Sequence, residues 1–397
     1  MQYDFIIAGA GIAGASVAYE LAKTSSVCLV EAESRPGYHS TGRSAALFAP
    51  SYGGEEIRAL TRASRRFFQR PPTGFGELPL LLPRGCLYIA RSDQSAQLAA
   101  MLGEIHRSGG QLIELDSHAA RTMVPQLRDD YVAAAAFDSD AADIDVATLH
   151  QGYLRGARDA GARFITNCQI RLAERRHGLW SLKLGDDTIT APALVNAAGA
   201  WADEVAALCG ASRVGLQPRR RTAVLVDPPP DADVRRWPAV IDADEQFYFK
   251  PDAGKLLLSP ADETPVPPCD AQPDDLDVAI GVDRVERALD LDVRHVRHSW
   301  AGLRTFAPDR VPVVGFDRRV PGFFWCAGQG GYGIQSAPAL ARTAAALARG
   351  DALPQDVLTE GLVADNLSPH RFQAAAVVTS DGDRDNPVPC MQERGET

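Results

Sequence analysis

The sequence predicts an α/β protein with mixed sheets. A dinucleotide-binding, Rossmann-like domain is assembled discontinuously, and a second domain rests on a mostly antiparallel sheet. Three observations carry this reading. Residues 3–34 run strand, glycine loop, helix, strand, acid. The order strand, small-residue turn, helix returns at 193–210 and again at 321–350. Two other stretches, 76–142 and 215–295, hold short apolar runs separated by turn residues and prolines.

The first stretch reads "YDFIIAGAGIAGASVAYELAKTSSVCLVEAES". "DFIIAGA" is a continuous apolar run, which suits a strand buried on both faces. Gly9, Gly11 and Gly14 form G-x-G-x-x-G. The first permits a tight turn, the second lets a pyrophosphate approach, and the third lets helix and strand pack closely. A second strand ends at Glu31, placed to take ribose hydroxyls and to repel a 2'-phosphate, which disfavours NADP. The motif alone does not separate NAD from FAD. The next stretch, "SRPGYHSTGRSAALFAPSYGG", is polar and non-helical where a nicotinamide domain would soon bring a second crossover helix. It can run along a long cofactor, with Arg43, Ser44, Ala45 and Ala46 lining phosphates and ring.

The remaining elements follow in order. Residues 55–70 form a helix stopped by Pro71 and Pro72. Residues 85–92 form a strand, 95–109 a helix, and "AARTMVPQL" a short helix ending before Pro125. Asp145 caps a helix that Gly161 stops. Residues 162–176 are a strand pair, and 179–199 a hairpin followed by a buried strand. "RRRTAVLVD", "PAVIDADEQFYFKPDAGKLLLSP" and "RHVRHSWAGLRTF" are sheet strands, with a helix over "DLDVAIGVDRVERALD". The domain division is 1–75, 143–214 and 296–372 for the cofactor domain, and 76–142 and 215–295 for the substrate domain. A disordered tail is expected over 373–397.

The bulk properties exclude several function classes. A net charge of −10 argues against nucleic acid or an anionic membrane surface as partner. Seven cysteines without a CxxC pair give no disulfide framework and no metal site. No apolar run reaches membrane-spanning length, and no leader pattern precedes the first strand, so a cytoplasmic location is expected.

A second glycine cluster, "CAGQGGYGIQSAPALARTAAALARG", opens a helix near the far end. With the first loop already suited to phosphate, its ligand needs another explanation. Together with "GAGIAGAS", "GYHSTGRSAA", "LVNAAGAW", "LQPRRR", "FYFKPDAG", "WAGLRTF" and "QGGYGIQ", it makes residues 1–372 resemble the FAD-dependent D-amino-acid oxidase/dehydrogenase superfamily. That family includes glycine and sarcosine oxidases. The nearest likeness is to bacterial D-amino-acid dehydrogenases of the D-arginine dehydrogenase type.

The resemblance implies noncovalent FAD and an amino acid held under the flavin. Hydride transfer to flavin N5 would give an imine, which water hydrolyses to a 2-oxo acid and ammonia. It lays the second glycine loop against the flavin ring, where backbone N–H groups and a helix N-terminus meet the negative charge of reduction. It assigns cofactor contacts to Gly9, Gly11, Ile12, Ala13, Gly14, Glu31, Ala32, Ser40, Thr41, Arg43, Ser44, Ala45, Ala46, Leu47, Ile170, Ala198, Gly199, Trp201, Gly330, Gly331, Tyr332, Gly333, Ile334 and Gln335. Substrate roles fall to Tyr52, Arg221, Tyr248, Arg304, Gly331 and Gln335. Arg221 and Arg304 would fork the substrate carboxylate, and Tyr52 and Tyr248 would add hydroxyls. No catalytic base is needed, and His39 and His150 are read as structural.

Two departures bear on specificity. Members that prefer basic side chains carry a carboxylate where Cys86 stands and a histidine where Leu47 stands, so small or apolar D-amino acids are expected here. The cysteine that holds flavin covalently in some relatives aligns near Gly302, and Cys326 reads as core. The lysine that activates oxygen in some oxidases aligns near Leu258, which leans towards a dehydrogenase using a quinone rather than oxygen. Alternatives stay open: a secondary amine such as an N-substituted glycine, a 2-hydroxy acid, or a flavin-binding subunit without turnover.

Overall fold

A computed structural model describes residues 1–184, 187–230 and 232–373. The expected tail lies outside the described residues except Gln373, which closes the helix His370–Gln373. One sheet has the order Val313–Phe316, Phe323–Ala327, Ala193–Asn196, Phe5–Ala8, Val27–Val30, Arg163–Ile165. It is parallel except at the Val313–Phe316 edge. Phe5–Ala8, Val27–Val30 and Ala193–Asn196 are buried along their whole length. A strand covered on both faces has no solvent side to keep polar, hence the unbroken apolar runs.

One face of this sheet packs on the helices Ile12–Ala22, Val146–Asp159 and Gly333–Arg349 through Phe5, Ile7, Val27 and Leu29. The other face, with Ile6, Ala8, Cys28 and Val30, is covered by a three-stranded meander over Ala173–Arg176, Leu179–Leu184 and Asp187–Ala191. The strands expected as a pair over 162–176 therefore do not pair. Arg163–Ile165 extends the parallel sheet and Ala173–Arg176 starts the meander. The intervening residues cross the ends of the parallel strands instead of turning back.

The second sheet runs Gln329–Gly330, Val296–Phe306, Gln217–Val226, Lys255–Ser259, Tyr248–Asp252, Ala239–Asp242, Cys86–Ala90, Ala134–Asp138, Ile113–Asp116. Thr264–Pro265 pairs beside Gln217–Val226. Every pairing is antiparallel except Ala239–Asp242 with Cys86–Ala90. Val296–Phe306, which the sequence division gave to the cofactor domain, lies in this sheet, with Gln217 opposite Phe306 and Arg219 opposite Arg304. Ten residues of cross-strand partners outweigh its closeness in sequence to the last parallel strand. Thr305 also pairs with Gly330, which stitches the second glycine cluster to this sheet.

Helix Gly333–Arg349 carries Pro338 in its interior without stopping. Proline lacks the N–H for its own turn and crowds the one before it. The adjacent helix Glu55–Gln69 supplies a partner there: Ser64 Oγ accepts the Ala339 N–H at 3.0 Å, while its own proton goes to the Leu60 carbonyl at 2.7 Å, with the Ser336 carbonyl farther off at 3.3 Å. The helix start is thus held in place beside the glycine cluster.

Candidate functional site

The parallel strands Phe5–Ala8, Val27–Val30 and Ala193–Asn196 all end on one groove, the usual ligand position in such sheets. Gly9, Gly11, Ile12 and Ala13 line it from the first loop, Glu31 and Ala32 from the second strand's end, and Ala198, Gly199 and Trp201 from the third. Gly14 does not line it. A Cβ there would stand 1.8 Å from the Gly9 carbonyl, so this glycine lets the helix close onto the loop. Gly11 gives helix Ile12–Ala22 no side-chain cap. Thr41 Oγ1 accepts the Ile12 N–H at 2.9 Å, and the rest of the first turn is left to meet an anion. Glu31 is fixed in advance, its Oε2 accepting the Ala10 N–H at 2.6 Å and its Oε1 the Glu33 N–H at 2.9 Å.

The stretch after Glu31 crosses the groove as an irregular strap. Ser40, Thr41, Arg43, Ser44 and Ala45 line it. Ser40 Oγ donates to the Leu303 carbonyl at 2.6 Å, and Trp300 Nε1 donates to the Arg43 carbonyl at 3.1 Å. Arg43 Nη1 donates to the carbonyls of Ala271 and Ala301 at 2.8 and 3.0 Å, and Nη2 to Asp270 at 2.5 Å. The Arg43 guanidinium, expected to line phosphates, is thus engaged with the second sheet's side of the groove.

The far end of the groove is lined by Arg221, Tyr248, Arg304, Gly330, Gly331, Gly333 and Ile334. Arg221 and Arg304 come from adjacent antiparallel strands, with Arg219 opposite Arg304 and Arg221 two residues along. Alternation puts Arg219 and Arg221 on one face. Arg221 is only 8% exposed. Its pKa is pushed below the usual arginine range, first by burial and then by Arg304. Tyr52, whose hydroxyl donates to Glu245 Oε2 at 3.4 Å, is held neutral by burial, which drives its pKa well up. Burial also raises the Tyr332 pKa. The groove therefore ends in two cationic forks with Tyr248 beside them, a receptor for one carboxylate.

Tyr52 and Tyr332 do not line this groove. They line a neighbouring cavity of about 700 Å³, which shares Arg221 with it. Their rings meet edge to face at 5.3 Å between centroids. Ala46 and Leu47 also lie off the groove. Ala46 takes a left-handed backbone (φ 56°), and Leu47 pairs with Asp143. Gln335 sits behind the groove at 3% exposed, its Oε1 accepting the Ala49 N–H at 3.1 Å and its Nε2 without a partner among the described residues. Ile170 lines the groove.

Sequence reasoning missed several lining residues. His39 lines the groove, with its ring 4.6 Å from that of Trp201 and its Nε2 2.9 Å from Glu33. Cys168, Gln169, Glu204 and Leu208 line it too. The signal for His39 was its place inside the polar stretch already assigned to the cofactor. The others come from loops and a helix face with no motif of their own. Glu245, Glu263 and Arg310, which line the second cavity, also escaped notice.

The groove suits FAD by its own construction: an open helix N-terminus, a preset acid, and a second helix, Gly333–Arg349, starting on the same groove. Among the described residues, no His, Cys, Asp or Glu cluster could hold a metal ion. No described helix is long and apolar enough to cross a membrane. Cys326 is buried in its strand as expected, and Gly302 lines the groove.

A family model described as "DAO: FAD dependent oxidoreductase" matches residues 4–347. An uncharacterized oxidoreductase, YurR, of Bacillus subtilis (strain 168) is 26% identical over 372 residues, covering 87% of this chain and 95% of its own. The crystal structure of L-proline dehydrogenase from P. horikoshii superposes with a TM-score of 0.80 at 20% identity, covering 94% of this chain and 98% of that one. That of glycine oxidase from Geobacillus kaustophilus gives 0.78 at 22% identity, covering 88% and 95%.

Proposed function

From its membership of the FAD dependent oxidoreductase family, to which this chain belongs, we propose that it oxidises the CH–NH bond of a D-amino acid with a small or apolar side chain. The observation that carries this is the pair Arg221 and Arg304 at the end of the cofactor groove, with Tyr248 beside them. The two similar structures named above are those of a glycine oxidase and an L-proline dehydrogenase, whose named donors are amines bearing a carboxylate.

FAD, when bound, supplies the two-electron acceptor that takes hydride from the substrate's Cα–H. The residues in place for it are Gly9, Gly11, Ala13, Glu31, Ser44, Ala45, Gly330, Gly331, Gly333 and Ile334. The chain's own contribution is orientation. Arg221 and Arg304 grip the carboxylate, and the Tyr52 and Tyr248 hydroxyls add donors, which fixes the direction of Cα. Tyr52, held neutral, keeps its donor proton. The amine must arrive or become neutral for hydride loss, and no charged carboxylate is required for that step. Helix Gly333–Arg349 begins on the groove, so its positive end would favour negative charge on a reduced cofactor held there. Water then hydrolyses the released imine to a 2-oxo acid and ammonia.

The side-chain preference rests on Cys86 and Leu47. Both belong to an apolar cluster with Ala49, Ile241 and Tyr248. The nearby acids are engaged: Asp138 with Ser51, Glu104 with Arg58, and Asp244 with Gln94. A guanidinium or ammonium buried on that wall would find no unbonded carboxylate there; Glu245, which lines the neighbouring cavity, is exposed and accepts the Tyr52 hydroxyl at 3.4 Å. The D configuration rests on the motif resemblance. A second reading, a secondary amine, is favoured by the likeness to the L-proline dehydrogenase structure.

The test is anaerobic bleaching of the holoenzyme's flavin by D- and L-amino acids, sarcosine and a 2-hydroxy acid, then re-oxidation by air against a quinone. D-Leu, D-Met or D-Phe should bleach fastest. Tenfold faster bleaching by D-Arg or D-Lys would overturn the side-chain assignment. Bleaching by sarcosine or proline alone would select the second reading, and flavin that no donor reduces would leave a binding subunit.

A further inference from the structure

Two guanidinium groups side by side in a buried site repel each other and need a resident counter-charge. For Arg221 the structure provides one. Glu263 Oε1 accepts from Arg221 Nη2 at 3.2 Å. Glu263 is itself gripped on both oxygens by Arg310, with Nη1 on Oε2 at 3.0 Å and Nη2 on Oε1 at 2.8 Å. Arg310 lies over the ring of Phe306, 3.9 Å from its centroid, on the same strand as Arg304.

The loop that carries Glu263 is fastened on both sides to the strand that carries Arg221. Before it, Asp262 accepts the Thr222 N–H at 2.6 Å and the Thr222 hydroxyl at 3.0 Å. After it, Thr264 pairs with Arg220 and Pro265 with Arg219. Ala261 enters the loop with φ of 53°, a left-handed conformation that non-glycine residues adopt only when the surroundings impose it. The loop shape is thus set by several contacts at once, and the outcome is a carboxylate delivered to Arg221.

We infer that Glu263 is a positioning residue of the carboxylate anchor: it sets the direction in which Arg221 points into the groove, and Arg310 sets Glu263. The inference rests on the proposed reading that Arg221 and Arg304 bind a substrate carboxylate. Glu263 does not touch the reacting atoms and acts through Arg221. A role through charge alone makes the opposite prediction. A neutral residue at 263 would then bind a carboxylate more tightly, because one repelling charge is gone.

Two variants of the holoenzyme separate these. E263D keeps the charge but withdraws it by one methylene. E263Q keeps the length but removes the charge. KM is measured with D-leucine, and the affinity for acetate, a bare carboxylate, is read from its perturbation of the flavin spectrum. Flavin content and thermal midpoint check the fold. A positioning role predicts that both variants raise KM and weaken acetate binding about tenfold with kcat changed less than threefold. E263D behaving as wild type, E263Q binding acetate more tightly, or a lower thermal midpoint with unchanged KM in either variant would overturn it. A wild type that neither reacts with D-leucine nor responds to acetate would instead sink the carboxylate-anchor reading, and this inference with it.

Discussion

Gly331 and Arg304 stand against each other so closely that a Cβ on Gly331 would lie 2.8 Å from Arg304 Cζ and 2.9 Å from its Nε and Nη1. The absence of a side chain at 331 is therefore what gives the guanidinium its place at the groove. Alanine at 331 should displace Arg304 without disturbing the rest of the cofactor site. G331A is expected to keep its flavin and to raise KM for carboxylate-bearing donors about ten- to a hundredfold, the worth of a charge-assisted hydrogen bond. Steady-state kinetics with flavin content measured on the same sample check this. Unchanged KM would mean that Arg304 does not hold the carboxylate.

The first glycine loop allows a sharper contrast. At Gly14 a Cβ would stand 1.8 Å from a backbone oxygen, which cannot rotate out of the way. G14A should be recovered with little flavin and a stability loss of about 1–3 kcal/mol or more, as for other overpacked sites. Gly103, exposed in helix Ser95–Arg107 with nothing within 4 Å of a built Cβ, is the control. G103A should stabilise by about 0.5–1 kcal/mol, because alanine is the better helix former. Thermal unfolding of both variants tests the pair.

Asp138 carries a pH prediction. It is 3% exposed, and burial raises its pKa above the ordinary carboxylate value despite bonds from Ser51 Oγ at 2.5 Å and the Asp140 N–H at 2.9 Å. A carboxyl with a raised folded pKa contributes stability that is complete below its unfolded value and is lost as pH rises through the folded one. Wild type should therefore lose stability relative to D138N as pH climbs from about 3.8 through the raised value. Asparagine keeps an acceptor for Asp140, and Ser51 can turn to accept from its amide, so D138N should fold. D138A should cost about 1–3 kcal/mol at any pH by stranding those donors. A flat wild-type minus D138N difference across that range would refute the assignment.

How much of this was legible in the sequence depends on whether a residue acts through the local chain or across it. Gly9, Gly11, Glu31 and the Asp145 cap were readable because turn, helix start and cap are properties of adjacent residues; Asp145 indeed accepts the Thr148 N–H. Arg221 and Arg304 were named from motif resemblance, since spacing alone cannot show that two strands 80 residues apart in sequence are neighbours. Glu263, Arg310 and Asp138 went unseen for the same reason. Each lies in a stretch without a motif, and its partner comes from a segment distant in sequence. The strand Val296–Phe306, grouped by sequence neighbourhood with the cofactor segments, joins the second sheet because the pairing partner decides which sheet a strand enters.

The strap over the cofactor groove carries the last prediction. Arg43 joins it to the opposite side through three acceptors: the carbonyls of Ala271 and Ala301, and Asp270. Its side chain is mostly buried, at 15% exposed, while Asp270 is 46% exposed. An exposed ion pair is worth little, whereas the two carbonyl bonds are sheltered and depend on the planar fork. R43A should therefore release FAD about tenfold faster, read as the rise of free-flavin fluorescence after dilution, and D270A should change it less than threefold. R43K separates the strap from a direct phosphate contact. Lysine supplies charge but cannot reach two carbonyls and a carboxylate in one plane, so it should release flavin nearly as fast as R43A. If R43K instead retains flavin as wild type does, positive charge towards the cofactor, not the cross-groove bonds, is what Arg43 provides.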